Sequence, residues 1–177
     1  MTGLLSQPTR IHLIQGDCRV TADAEVVMMT VLGSCIATCM RDPIAMVGGM
    51  NHFLLPEGQG TDRTTSMRYG AHAMELLVNA LLTLGARRER LEAKLFGGAR
   101  MTDGLTDIGD RNAAFAERYL EHEGIRFLGG STGGRQARKL QFWPVSGRVR
   151  QLQLAKEPET PLQLPRTPRE TGAVEFF

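Results

Sequence analysis

The sequence has few of the features that mark disulfide-linked, zinc-binding or membrane-spanning proteins. It contains three cysteines, Cys18, Cys35 and Cys39, and no Cys-x-x-Cys motif. An odd number of cysteines without paired spacing argues against a disulfide framework and favours a reducing compartment. The four histidines are scattered, so we expect neither a zinc site nor any other metal or cofactor. No apolar run approaches the roughly 20 residues that span a bilayer, so membrane insertion is not expected.

Charge of one sign is not in large excess either. Lysine and arginine total 21, and aspartate and glutamate total 19, which leaves a net charge of +2. This excess is too small to predict a nucleic-acid or membrane-surface partner. Residues 1–10 lack the basic start and apolar stretch of a secretory signal, so we expect a cytoplasmic protein.

The chain has the length of one domain with short flanking segments. We expect a flexible leader over residues 1–10 and one folded domain over residues 11–154. Four prolines punctuate residues 155–177, among threonine, glutamate and arginine. This composition predicts a mobile or surface-extended tail.

Hydrophobic periodicity predicts more strands than helices. Three- and four-residue spacing of apolar side chains predicts helices over residues 67–84 and 107–123. We therefore predict an α+β fold, a compact layered α/β sandwich with hairpin-rich mixed sheets and two main helices packed outside. The predicted strands cover residues 11–14, 25–32, 35–40, 44–55, 92–96, 125–128, 137–143 and 148–154.

The segment that ends at His52 carries the residues with the clearest chemical potential. Cys35 follows Gly33 and Ser34 in a predicted tight turn. Small residues before a nucleophile let a substrate approach the backbone, whose N–H groups can hold a developing oxyanion. His52 follows on the expected partner strand of a hairpin.

The register of this hairpin decides whether the thiol and the imidazole meet. Counting back from a loop at residues 41–44 places Met50 opposite Cys35. A one-residue bulge at the Gly-Gly pair would place Asn51 there, and a slightly longer loop would place His52 there. An error of one residue would put His52 on the opposite face of the sheet.

A cysteine and a histidine in contact could perform nucleophilic catalysis. The imidazole of His52 can take the thiol proton of Cys35 and later protonate a leaving amine. A third group usually orients the ring, and Thr30 is preferred to Asn51 because it lies on the strand approaching the cysteine turn. Ordinary structural roles also stay open, with Cys35 as a small buried residue, His52 as a core histidine and Thr30 as a strand former.

Several short motifs form a set that is specific as a whole, although no single member is. They are Leu32-Gly33-Ser34-Cys35, Asp42-Pro43, Gly48-Gly49-Met50-Asn51-His52-Phe53, Leu55-Pro56, Tyr69-Gly70, Ala73-Met74, Lys94-Leu95-Phe96-Gly97-Gly98-Ala99, Met101, Ile108-Gly109, Arg111-Asn112, Gly133-Gly134, Arg138-Lys139, Phe142 and Ser146-Gly147-Arg148-Val149. This set resembles the CheD family of chemoreceptor glutamine deamidases, over residues 11–154.

The resemblance implies an α/β sandwich with a Cys–His–Thr triad. In that triad Cys35 is the nucleophile, His52 the base and acid, and Thr30 the orienting residue. It also implies hydrolysis of selected glutamine side chains on the cytoplasmic helices of methyl-accepting chemoreceptors, which gives glutamates that can be methylated. Some members of the family also hydrolyse receptor methyl esters, and some bind the CheC phosphatase.

Two other classes of function stay open. The same fold could serve as a non-catalytic adaptor that binds receptor helices or a CheC-like phosphatase. The Cys/His pair could instead belong to another acyl-transfer enzyme, such as a peptidase or a transglutaminase-like protein.

Overall fold

The computed structural model describes residues 7–56, 62–101 and 107–154. They form three layers, with two helices on one face of a five-stranded sheet and a four-stranded sheet on its other face. This arrangement confirms the predicted α+β sandwich with its helices outside. The predicted tail, residues 155–177, lies outside the described residues, as do residues 1–6 of the predicted leader.

Along the chain, the strands and helices pass back and forth among the three layers. The elements are β1 (Thr9–His12), β2 (Cys18–Thr21), β3 (Val26–Leu32), β4 (Ile36–Asp42), β5 (Val47–Phe53), α1 (Arg63–Thr83), a 3-10 turn (Arg88–Arg90), β6 (Glu92–Gly97), α2 (Ile108–His122), β7 (Arg126–Thr132), β8 (Arg138–Trp143) and β9 (Arg148–Gln153). The first strand therefore begins at Thr9, inside the segment expected to be a leader.

Both sheets are mixed. The central sheet has the order β2-β5-β4-β6-β7, and only its β6–β7 pair is parallel. That pair can be parallel because α2 provides the crossover between the two strands. The outer sheet has the order β1-β3-β8-β9, in which β1 and β3 run parallel. β4 and β5 are buried almost throughout because both of their faces are covered.

Two hydrophobic cores fill the spaces between the layers. The helix-side core lies between the central sheet and the helices, and the inter-sheet core lies between the two sheets. Side chains of β5 alternate between them, with Met50 in the inter-sheet core and Phe53 in the helix-side core. Neither α1 nor α2, the two long helices of the described chain, combines the length and hydropathy of a membrane-spanning helix.

The β4–β5 hairpin differs from its predicted register. Asp42 pairs with Val47 and Met40 with Gly49, so the loop spans four residues between the two paired strands. The predicted bulge at the Gly-Gly pair is wrong, because the register runs through it without a shift. These glycines instead permit close backbone approach, since a Cβ on Gly48 would lie 2.3 Å from the carbonyl oxygen of Pro144.

Two further elements differ from the prediction. The short strand β2 was not predicted; it begins at Cys18, which is half-buried. α1 begins four residues before the predicted start at Met67, because Asp62 accepts a hydrogen bond from the N–H of Thr65 at 2.6 Å and caps the helix. The residues of this first turn are polar, so apolar periodicity does not indicate where the helix begins.

Candidate active site

The imidazole of His52 and the hydroxyl of Thr30 meet between the two sheets. His52 lies on β5 and Thr30 on β3, and both residues are buried. Thr30 Oγ1 lies 2.8 Å from His52 Nδ1 and donates a hydrogen bond to the carbonyl of Leu13 at 2.9 Å. Since the hydroxyl proton is directed to Leu13, the Thr30 oxygen accepts a hydrogen bond from the Nδ1–H of His52, which selects one tautomer of the ring.

The other ring nitrogen of His52 is therefore unprotonated in the neutral ring. Nε2 is buried and has no hydrogen-bond partner among the described residues. Burial lowers the pKa of His52, an effect that the Leu13 carbonyl and the charge of Asp17 oppose. A neutral imidazole with a free Nε2 lone pair is the form that accepts a proton from a nucleophile.

Cys35 lies in the turn before β4, close to the position of His52 in the sheet. His52 pairs with Ala37, and Cys35 precedes Ala37 by two residues. Residues two apart along a strand share a face, and diagonal cross-strand neighbours lie roughly 7–8 Å apart. Cys35 also packs against the inter-sheet core, where it is half-buried. The structure thus brings Cys35 to the layer that holds His52 and Thr30, as a diagonal neighbour of His52 rather than directly opposite it.

The Cys35 thiol is held in its protonated form. Its sulfur donates to Gln15 Oε1 at 3.5 Å. Burial raises the pKa of Cys35, and its own backbone N–H partly offsets this effect. The lowered pKa of His52 and the raised pKa of Cys35 both favour the neutral forms, a thiol and an uncharged imidazole.

Residues 13–17, the anchoring segment, contact Thr30, Cys35 and His52. The Leu13 carbonyl accepts a hydrogen bond from the Thr30 hydroxyl, and the Gln15 side chain contacts the Cys35 sulfur. The N–H of Gly16 donates to the His52 carbonyl at 2.7 Å, and the His52 N–H donates to the Asp17 carbonyl at 3.0 Å. Gln15 is a candidate functional residue that sequence reasoning missed, since one amide side chain in a turn carries no pattern.

The cysteine turn is fixed through its carbonyl groups. Asn112 Nδ2 donates to the Ser34 carbonyl, and the N–H of Ala99 donates to the Gly33 carbonyl, both at 2.8 Å. The Cys35 carbonyl accepts from Gly98 at 2.8 Å. No described residue accepts a hydrogen bond from the backbone N–H of Ser34. The carbonyl groups of Gly33, Ser34 and Cys35 are thus all hydrogen-bonded.

A glycine and a buried arginine support this turn from behind. Gly97 has a φ of 111°, and a Cβ at that position would lie 2.0 Å from the Cys35 carbonyl oxygen. The Gly97 carbonyl accepts from Gly133 at 2.9 Å. The buried guanidinium of Arg138 donates to the carbonyls of Ser131 and Gly133 and so stabilises the neighbouring loop.

Asn51, the other predicted orienting or substrate-contacting residue, is not part of this group. Its Oδ1 accepts from the Thr38 N–H, and its Nδ2 donates to the Ala73 carbonyl on α1, both at 3.0 Å. Asn51 is next to His52 on β5, and successive side chains of a strand point to opposite faces. The structure therefore assigns Asn51 to the contact between β5 and α1. Among the described residues no three histidine, cysteine or acidic side chains form a group that could hold a metal ion.

Comparison with known proteins places the chain in a family. Residues 54–153 match the family model described as CheD, chemotactic sensory transduction. A protein of Caulobacter vibrioides named probable chemoreceptor glutamine deamidase CheD is 63% identical over 143 residues, which cover 80% of this chain and 76% of the relative. The chain belongs to the CheD family.

This assignment confirms the resemblance seen in the sequence motifs. A CheD relative from Acidiphilium cryptum with the same name is 55% identical over an alignment that covers 95% of this chain and 93% of the relative. The family-model match begins at Leu54 and so follows the cysteine turn, whereas the Acidiphilium alignment spans nearly the whole chain. A crystal structure from Neisseria meningitidis has a TM-score of 0.45 and 13% identity over 67% of this chain and 53% of that one, a likeness too slight to support an inference.

Proposed function

We propose that this protein is a protein-glutamine deamidase that converts selected glutamines of methyl-accepting chemoreceptors to glutamates. Its CheD relatives carry the name of chemoreceptor glutamine deamidase. The observation that carries the proposal is the 2.8 Å hydrogen bond between Thr30 Oγ1 and His52 Nδ1, which leaves Nε2 free in the layer against which Cys35 packs.

The first half of the proposed reaction forms a thioester. His52 Nε2 takes the thiol proton as the Cys35 sulfur attacks the side-chain carbonyl carbon of the glutamine. The carbonyl electrons move onto oxygen, and the backbone N–H groups of Ser34 and Cys35 hold the resulting oxyanion. The imidazolium then protonates the amide nitrogen, the carbon–nitrogen bond breaks, and ammonia leaves.

The second half hydrolyses the thioester. His52 takes a proton from a water molecule, whose oxygen attacks the acyl carbon. The carbon–sulfur bond breaks, and the Cys35 sulfur recovers the proton from the imidazolium. The product is a glutamate side chain, which ionises at neutral pH, so each turnover adds one negative charge to the receptor.

Substrate choice in this proposal depends on docking to the receptor rather than on the glutamine alone. One amide side chain offers little binding energy, so selectivity requires contacts with the cytoplasmic receptor helices around it. The proposal therefore places the protein in the cytoplasm. A CheC-like phosphatase is a second proposed partner, and hydrolysis of receptor methyl esters is a possible side activity, with methanol as the leaving group in place of ammonia.

The test is an assay of purified protein with a cytoplasmic fragment of a chemoreceptor. We expect ammonia release, and mass spectrometry should find particular glutamines converted to glutamates. Binding of the fragment without any conversion would support the adaptor alternative instead. Cleavage of the fragment would support a peptidase, and incorporation of a labelled amine at glutamine would support a transglutaminase-like activity.

Thr30→Val is expected to lower kcat on the order of a hundredfold. Valine keeps the shape of the threonine side chain but cannot accept a hydrogen bond from the Nδ1–H of His52. The ring would then lose its fixed tautomer and orientation. Thr30→Ser keeps the hydroxyl, so its kcat is expected to stay within a few-fold of the wild-type value. Steady-state ammonia release by the three proteins measures the difference. Equal kcat values for Thr30→Val and the wild type would contradict the orienting role.

A further inference from the structure

A groove runs between α1 and α2 on the outer face of the helix layer. Its floor is apolar, with the ring of Phe115 at the bottom and Met67 and Ala71 along the α1 side. The groove encloses about 520 Å³ and continues past Met67 and Phe115 into a second hollow of about 320 Å³ that reaches Leu55. Met67 is 45% exposed, so part of this apolar surface is open to solvent.

The rim of the groove is cationic. Arg63 and Arg68 line it from α1, and Arg111 and Arg118 line it from α2, and none of the described residues that line either hollow is a carboxylate. Within the described chain, no acidic side chain forms an ion pair with Arg63, Arg68 or Arg118. Other arginines of the protein do have carboxylate partners: Arg41 with Glu92, Arg88 with Glu123, Arg90 with Asp42 and Arg100 with Asp110.

One side chain connects this groove to the cysteine turn. Asn112 is buried on α2, next to Arg111. Its Oδ1 accepts from the N–H of Leu55 at 3.1 Å, and its Nδ2 donates to the carbonyl of Ser34 at 2.8 Å. Leu55 lines the groove, and Ser34 precedes Cys35. Asn112 therefore joins the backbone of a residue that lines the groove to the turn that carries Cys35.

We propose that this groove docks an acidic amphipathic helix of the receptor substrate and so presents the target glutamine to Cys35. Identification of the partner as the receptor rests on the function proposed above. The apolar floor fits the apolar stripe of such a helix, in the way that grooves bind helical peptides. The arginines complement carboxylates on its flanks, and charge complementarity of this kind sets partner choice and the rate of encounter.

Two single charge reversals, Arg68→Glu on α1 and Arg118→Glu on α2, test the proposal. Both side chains are exposed on helix surfaces, so we expect melting temperatures close to that of the wild type. The matched control is Arg150→Glu, which makes the same charge change on β9 of the outer sheet, in a different layer from the helices. Each reversal is also made in the Cys35→Ala background, so that binding is measured without turnover.

Binding of a purified receptor cytoplasmic fragment to these proteins is measured by fluorescence anisotropy. We expect each groove reversal to raise the Kd about tenfold and the control to leave it unchanged. Added salt should weaken binding of the parent protein more steeply than binding of the reversed variants. In the active background the same reversals should raise KM and leave kcat unchanged, because they do not touch the reacting atoms.

Equal Kd values for the groove variants and the control would overturn the docking proposal, as would the absence of any binding. The proposed function has its own test, independent of the docking proposal. It is wrong if the wild-type protein binds the fragment but leaves its glutamines unchanged. In that case the dependence of the Kd on Arg68 and Arg118 still decides whether the groove is the docking site. A fragment whose acidic residues are replaced by glutamine should bind the parent protein more weakly, and the groove reversals should then have little further effect, since the charge pairs are already absent.

Discussion

Replacement of Cys35 by alanine is expected to lower the rate of glutamine deamidation by about a thousandfold or more. The proposed reaction passes through a thioester, and alanine has no atom that can form it. Cys35 is half-buried at the margin of the inter-sheet core, so loss of one sulfur should leave the fold intact. Ammonia release and conversion of receptor glutamines measure the activity, and thermal melting measures the fold.

The matched control is Cys18→Ala, which removes the other half-buried thiol. Burial raises the pKa of Cys18 to about 11, and Cys18 begins the edge strand β2. We expect this variant to retain wild-type activity. Full activity in Cys35→Ala, or a loss of similar size in Cys18→Ala, would contradict the assignment of the nucleophile.

His52→Gln should show a loss similar to that of Cys35→Ala. Glutamine can still hydrogen-bond to Thr30, but it has no nitrogen that takes up a proton at neutral pH. Groups that act in one proton transfer are not additive, so the double variant is expected to be no slower than the slower single variant. Multiplication of the two losses would instead indicate that Cys35 and His52 act independently.

The resting state of the site gives a reason why the proposed reaction would need both Cys35 and His52. Burial favours the neutral thiol of Cys35 and the neutral ring of His52. A preformed thiolate–imidazolium pair is therefore disfavoured, and the proton moves only when the sulfur attacks a substrate. This arrangement limits oxidation of the thiol, because the reactive thiolate is scarce without substrate.

The layers of the fold were predictable because they follow from short-range patterns. The helix α2 occupies residues 108–122, close to the predicted 107–123, because its apolar positions and a following Gly124 are local signals. The hairpin of β8 and β9 around residues 144–147 is likewise local. Strands and helices of this kind can be predicted without knowing which layer packs against them.

The site was predictable only in part, for the opposite reason. Thr30 and His52 are 22 residues apart and lie in different sheets, so their contact depends on how the sheets stack. Gln15 and Asn112 reach the cysteine turn from 20 and 78 residues away, and no periodicity marks such contacts. The predicted β4–β5 hairpin places Cys35 near His52, although its predicted loop at residues 41–44 differs from the observed one between Asp42 and Val47.

The turn between β4 and β5, which places His52 relative to Cys35, depends on the buried carboxylate of Asp42. Its Oδ1 accepts from the N–H groups of Ile44 and Ala45, both at 2.9 Å. Its Oδ2 accepts from the N–H of Arg87 at 2.9 Å and from the guanidinium of Arg90 at 2.8 Å. One side chain thus joins the hairpin loop to the segment that follows α1.

Asp42→Ala is expected to lower the free energy of unfolding by about 3 kcal/mol, because it leaves several buried donors and a partly buried arginine without their acceptor. Asp23→Ala is the matched control. The Asp23 carboxylate is exposed and accepts one hydrogen bond, from Glu25, so its loss should cost less than about 1 kcal/mol. Chemical denaturation at neutral pH measures both values.

The contribution of Asp42 should also depend on pH in a defined direction. Burial opposes ionisation of Asp42, but the N–H groups of Ala45, Arg87 and Ile44 and the Arg90 guanidinium outweigh it and lower the pKa to about 2, from an ordinary 3.8. Because the unfolded chain binds the proton more readily, the stabilisation is complete above 3.8 and disappears as the pH falls through about 2. The difference in stability between the wild type and Asp42→Ala should therefore narrow over this range. If the difference in stability between the two proteins stayed constant down to about pH 2, the charge of Asp42 would not be what holds the turn.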